Sequence, residues 1–120
     1  MAAAEVRNFD SPDETRPFEG RGGASVVNLG GKAIGRAVFE PGWRWSENVK
    51  PIAKTDSCKV SHLGYVLSGT MRVYMDDGSA GDAGPGDVVA IPPGHDAEVV
   101  GDEPCVFLDF GEFGDYAKPA

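Results

Sequence analysis

A chain of 120 residues, 41% hydrophobic and 25% charged, has the size and make-up of one globular domain and not of a disordered segment. Its formal net charge of −8, with 11 scattered basic residues, speaks against a nucleic-acid reader or a surface drawn to anionic lipid, because both need clustered Lys or Arg. The start, Met1-Ala2-Ala3-Ala4-Glu5, lacks an export signal and no run nears the ~20 apolar residues of a bilayer span, so a cytoplasmic protein with no membrane contact is expected, its Cys58 and Cys105 free thiols.

Residues 1–24 are polar and interrupted by Ser11-Pro12 and Arg16-Pro17. They read as a surface arm in which 6–9 is the one candidate edge strand. A β-branched run at 25–29, the Gly30-Gly31 turn and a second strand at 32–39 make a hairpin. Pro41-Gly42 then turns the chain into Trp43-Arg44-Trp45-Ser46-Glu47, read as extended, so that the two indoles share a face. Residues 48–55 read as loop. Residues 56–68 read as extended with a bend near Val60-Ser61, and Gly69 closes that strand. In 70–75, Met71, Val73 and Met75 alternate with Arg72 and Tyr74, and Asp76-Asp77-Gly78 is a hairpin turn. A short apolar strand at 87–91, the Pro92-Pro93-Gly94 corner, an alternating strand at 95–100 and a last strand at 105–110 follow, then a tail at 111–120. The 17 glycines and 9 prolines fall between short apolar runs, and no sustained helical period is present. Eight or more short strands point to an all-β sandwich or barrel.

Two segments carry a family resemblance. His62-Leu63-Gly64-Tyr65-Val66-Leu67-Ser68-Gly69 and Gly86-Asp87-Val88-Val89-Ala90-Ile91-Pro92-Pro93-Gly94-His95 resemble the two sequence motifs of the cupin superfamily. The resemblance extends over about 32–110 and implies a cupin-like double-stranded β-helix, a jelly-roll barrel, over 25–110, between the arm at 1–24 and the tail at 111–120. Cupins usually hold a metal through His-x-His-x3-Glu and one later His. Counted from the motif glycines, those positions here are Asp56, Cys58, His62 and Ala97, so no usual ligand stands in its usual place.

The replacements are themselves metal-capable. Asp56, Cys58 and His62 are ligand types, and His95 lies two residues before Ala97, on the same strand face. A thiolate with imidazoles and a carboxylate suits Zn²⁺ first, with Fe²⁺, Ni²⁺ or Cu²⁺ as alternatives. A straight strand would hold Cys58 and His62 roughly 13 Å apart, so a shared ion requires the chain to bend between them. The competing readings are ordinary ones: histidines satisfied by carbonyls, Cys58 as a small buried hydrophobe, Asp56 capping its own backbone. Cys58 beside His62 also has the form of a nucleophile–base pair, though no third orienting group is evident. Trp43, Trp45 and Glu47 are candidates for the mouth of a ligand pocket, against the alternative that the indoles seal the core and Glu47 faces water.

Two functional readings stay open. One is a small-molecule-binding protein with a modified metal site performing isomerase, hydrolase or lyase chemistry on a small polar metabolite. The other is a non-catalytic ligand-binding or sensor module without metal. Cupins of this size commonly pair through an outer sheet face or an N-terminal strand, so the resemblance also implies a homodimer.

Overall fold

The structure, a computed structural model, describes residues 3–111. Nine strands and two single-turn helices follow one another among these residues. They are β1 (Glu14–Pro17), β2 (Gly22–Leu29), β3 (Lys32–Phe39), α1 (Trp45–Asn48), α2 (Lys50–Ala53), β4 (His62–Ser68), β5 (Thr70–Met75), β6 (Ala80–Ala83), β7 (Val88–Ile91), β8 (His95–Val100) and β9 (Cys105–Asp109). They form a six-stranded sheet in the order β1-β2-β3-β9-β4-β7 and a three-stranded sheet in the order β6-β5-β8, with every pairing antiparallel. The protein is a cupin-like jelly roll.

Period-two patterning sets which side chains enter the core. On the large sheet Val26, Ala37, Phe39, Val66 and Phe107 point inward, and Met71, Val73, Ala97 and Val99 answer them from the small sheet. Gly69 makes the corner between the sheets with φ +74, where a Cβ would lie 2.2 Å from the Pro104 carbonyl oxygen; only glycine fits. An aromatic cluster closes one end of the core, with the Phe39 and Trp43 ring centroids 4.2 Å apart and Phe18 stacked on Phe39 at 5.5 Å. No helix among the described residues is long and apolar enough to cross a membrane.

Two expectations about elements need correction, and one further strand lies where none is expected. Residues 6–9 are not a strand; the edge of the large sheet is β1, where Arg16 is buried and bound to Glu14. Residues 45–53 are two helical turns and not an extended segment followed by loop. The Asn48 side chain accepts the Arg44 N–H, Asp96 accepts the Ser46 N–H, and Pro51 stands in the first turn of α2, where its missing N–H costs nothing. Finally, Ala80–Ala83 is a strand without β propensity, held beside β5 by its ladder and by the Arg72–Asp82 ion pair. Of the expected tail, 112–120 lies outside the described residues.

Candidate metal centre

Cys58, His62 and His95 converge inside the barrel. One donor atom from each lies within 4.8 Å of the others, and all three residues are buried. The bend that the sequence required is supplied by backbone docking. Cys58 forms an isolated bridge to His95, its N–H donating to the His95 carbonyl at 2.7 Å while Gly94 N–H donates to the Cys58 carbonyl at 2.7 Å. The chain then crosses to the other sheet before His62 opens β4 opposite Ile91 of β7. Cys58 Sγ and His62 Nε2 end 3.6 Å apart, and the two imidazole rings meet edge to face at 5.2 Å.

Each imidazole has one nitrogen already committed. His62 Nδ1 pairs with Asp109 Oδ2 at 2.5 Å, and His95 Nδ1 lies 2.9 Å from the Pro92 carbonyl, to which it donates. An acceptor at Nδ1 places the proton there and leaves Nε2 as a lone-pair donor, the arrangement that orients metal-binding histidines. Asp109, 1% exposed, ends β9 opposite Gly64 and so sits diagonally beside His62. Its other oxygen accepts the Gly111 N–H at 3.0 Å. Gly64 permits this close approach of β4 and β9, since a Cβ there would fall 2.1 Å from the Leu108 carbonyl oxygen.

The electrostatics follow from the same contacts. Burial alone would push the Cys58 thiol up, but hydrogen bonds and charge from His62 and His95 together outweigh it and bring it down to about 6. Burial disfavours the His62 imidazolium, yet Asp109 and then Cys58 outweigh it and raise His62 to about 9. Without an ion the pair is therefore a thiolate beside an imidazolium at neutral pH.

The donors fit a divalent ion. A tetrahedral centre with sulfur at about 2.3 Å and nitrogen at about 2.0 Å has an S–N edge of about 3.5 Å, which the Cys58–His62 separation of 3.6 Å matches. Three protein ligands is also the number that leaves a position for a further group.

The cavity beside these residues is lined by His62, His95 and Asp109 together with Trp43, Trp45, Phe39, Phe107 and smaller apolar residues. It gives the centre of a water molecule ≈ 20 Å³, room for about one water or ion. The indoles reach it because Arg44 bridges to Glu98 of β8 and the Val99 N–H donates to the Trp43 carbonyl at 3.0 Å. Among the described residues neither Trp43 nor Trp45 Nε1–H has an acceptor, and an unpaired buried donor costs about 1–3 kcal/mol.

The structure thus brings together Cys58, His62, His95, Trp43 and Trp45. It leaves Asp56 and Glu47 outside: both are exposed, and neither lines the cavity. Asp56 lies just before Cys58 docks on β8, and Glu47 is an exposed residue of α1, whose Trp45 and Asn48 are the buried ones. Asp109 is the functional residue that sequence reasoning missed. Its signal was present as a charged residue at an inward position of the alternating strand Cys105–Asp109.

A family model described as Cupin domain matches residues 53–111. A protein of unknown function from Acidithiobacillus ferrooxidans has a similar structure, at 24% identity and TM-score 0.58, over 81% of this chain and 85% of that one. The polyketide cyclase RemF from Streptomyces resistomycificus is similar at 18% identity and TM-score 0.62, over 89% and 78%. Oxalate decarboxylase from Bacillus subtilis, studied for its Mn(II) centres, is 26% identical with TM-score 0.51 over 84% of this chain; the match spans 27% of that protein's chain. No curated protein sequence matches the chain.

Proposed function

We propose that this chain, a member of the cupin superfamily, binds one divalent metal ion through Cys58, His62 and His95 and presents it to a small polar metabolite for isomerase, hydrolase or lyase chemistry. The observation that carries this reading is the convergence of three buried donors within 4.8 Å. A thiolate with two imidazoles favours Zn²⁺ over Fe²⁺ or Ni²⁺. Such an ion, when bound, supplies Lewis-acid polarisation of a carbonyl or of water.

The chain's own residues do the rest. Asp109 keeps the His62 proton on Nδ1 and so aims Nε2 inward, and the Pro92 carbonyl does the same for His95. Phe39, Phe107, Met71 and Ile91 keep water out and lower the local dielectric, which strengthens every charge interaction inside.

Elemental analysis of the purified protein after zinc loading tests the reading. One equivalent per chain is expected, and less than a tenth in His62→Ala, with the circular dichroism of both unchanged. A wild-type protein that retains no divalent ion after loading would sink it. The small cavity favours a second reading, a non-catalytic ligand-binding or sensor module without metal; protein that retains no divalent ion after loading yet binds a ligand stoichiometrically selects that reading.

The pairing state is a separate proposal. Leu63, Tyr65 and Leu67 of β4 and Val88 of β7 project from the outer face of the large sheet, all exposed and next to one another in the ladder. An apolar row of this kind on a sheet face marks an interaction surface, and a second copy of the chain suits it as a homodimer. Light scattering should give twice the 12.6 kDa chain mass, falling to the monomer in Leu63→Lys/Leu67→Lys; a monomeric wild-type protein contradicts this.

A further inference from the structure

His62 and His95 owe their places to the ladders they open, β4 against β7 and β8 against β5. Cys58 has no such support. It lies in 54–61, between α2 and β4, where the chain belongs to no strand and docks on β8 by one isolated bridge. A donor that must stay within 4.8 Å of two others needs a firmer hold than that. The residue before it, Ser57, is buried, and its hydroxyl donates to Asp76 Oδ2 at 2.8 Å. Asp76 is the first residue after β5, and its N–H donates to the Gly94 carbonyl at 2.9 Å. Gly94 immediately precedes His95, and its own N–H donates to the Cys58 carbonyl at 2.7 Å. A Cβ on Gly94 would fall 3.0 Å from Asp76 Oδ2, so the carboxylate lies against this step of the chain. One residue thus ties together the neighbours of two donors.

We propose that Asp76 is a positioning residue of the metal centre, holding Cys58 through the Ser57 hydroxyl and His95 through the Gly94 carbonyl. The inference rests on the metal reading above. Asp76 is exposed and acts through the backbone on which the two donors sit. Lys59 joins the cluster, its ammonium donating to Ser57 Oγ at 3.0 Å and standing 3.9 Å from Asp76 Oδ2. Both of those charged side chains are more than half exposed, so their ion pair is screened and adds little. The hydrogen bond from a buried hydroxyl to a carboxylate is the stronger tether.

Four variants, Asp76→Ala, Asp76→Asn, Ser57→Ala and Lys59→Met, test this beside the wild type, each loaded with zinc or with Co²⁺. Asp76→Ala and Ser57→Ala should each weaken zinc binding about tenfold, the lower end of what loss of an outer partner costs. Both should also weaken the thiolate-to-cobalt charge-transfer absorption at saturating metal, which reports the bond from Cys58 to the ion. Asp76→Asn keeps an oxygen for the Ser57 hydroxyl and should stay within about threefold of the wild type. Lys59→Met should change neither reading. In the metal-free protein the Cys58 and Gly94 amide protons should exchange about tenfold faster in Asp76→Ala, because the bridge opens more often. Wild-type zinc affinity and cobalt spectrum in Asp76→Ala and Ser57→Ala overturn the proposal and leave the metal reading standing. An affinity loss with an unchanged cobalt spectrum and a lower urea midpoint also overturns it, since that is what a merely structural role gives. Asp76→Asn losing as much as Asp76→Ala does the same. Wild-type protein that takes up neither ion overturns both readings. Ser57→Ala removes a single oxygen, so an Asp76→Ala protein that fails to fold does not spare the proposal.

Discussion

Cys58 and Cys105 are equally buried, at 2% and 0% exposed, and both are free thiols, yet they belong to chemically different regions. Cys105 opens β9 opposite Phe39, and burial is the one influence on it, pushing its thiol up to about 11. Cys58 docks on β8 facing His62 and His95, which bring it down to about 6 despite burial. Burial by itself makes a thiol inert; the imidazoles opposite turn one of the two into a ligand.

The largest effect should separate the two cysteines outright. Cys58→Ser is expected to lower zinc affinity by at least about 100-fold, more than loss of an outer partner commonly does, and Cys105→Ser should leave affinity unchanged. Competition with a chromophoric chelator reads both values. Equal losses at the two positions would mean that global packing, not the donor set, governs metal uptake.

A smaller effect should come from the residue that orients one donor without touching the ion. Asp109→Asn keeps an acceptor beside His62 Nδ1 but removes the negative charge, and zinc affinity should fall about 10–100-fold. In the metal-free protein the same change should bring the His62 titration down from about 9 toward the ordinary imidazole value, followed by NMR. An unchanged His62 titration would show that Asp109 does not hold its proton.

Proton release on metal binding sharpens the comparison further. The Cys58 thiol is lowered to about 6, so above that pH it is already a thiolate and has no proton to give up. His62 is raised to about 9, so below that pH it is imidazolium and must lose its Nε2 proton to a metal. Between these values zinc binding should release about one proton from the Cys58–His62 pair, rising toward two from that pair below pH 6 and falling toward none above pH 9. Calorimetry in buffers of different ionisation enthalpy counts them. Two protons at pH 7.5 would place Cys58 with Cys105, as an ordinary thiol.

Much of the architecture was legible because alternation and turn chemistry are local. The strands around Val66, Val73 and Ala97, and the corners at Gly69 and Gly94, follow from residues within a few positions of each other. The helical turns of 45–53 were not legible, since they depend on Asp96 and Glu98 from a strand about fifty residues away. The Cys58, His62 and His95 trio was readable as residue types, and its convergence was not, because that rests on the bridge between Cys58 and His95. Asp56 was a ligand type at a family position but a weaker candidate than Cys58, since a loop aspartate usually caps its own backbone. The arrival of Asp109 is a consequence of register, which sets β9 against β4.

The smallest expected effect belongs to the packing cysteine. Cys105→Ala removes one sulfur from a fully buried position where the chain is already tight, since a Cβ on Gly69 would lie 2.5 Å from the Cys105 Cα. The surroundings have little freedom to collapse into the space, so the cost is the lost contacts plus a small cavity, about 1–2 kcal/mol. Urea unfolding should show a lower midpoint with an unchanged slope, because the surface exposed on unfolding is nearly the same. Zinc content should stay at one per chain, since the Cys105 thiol lies outside the donor trio and contributes packing alone. A Cys105→Ala protein that loses zinc while keeping its urea midpoint would reverse the assignment of the two thiols, giving the ligand role to the residue that here only fills space.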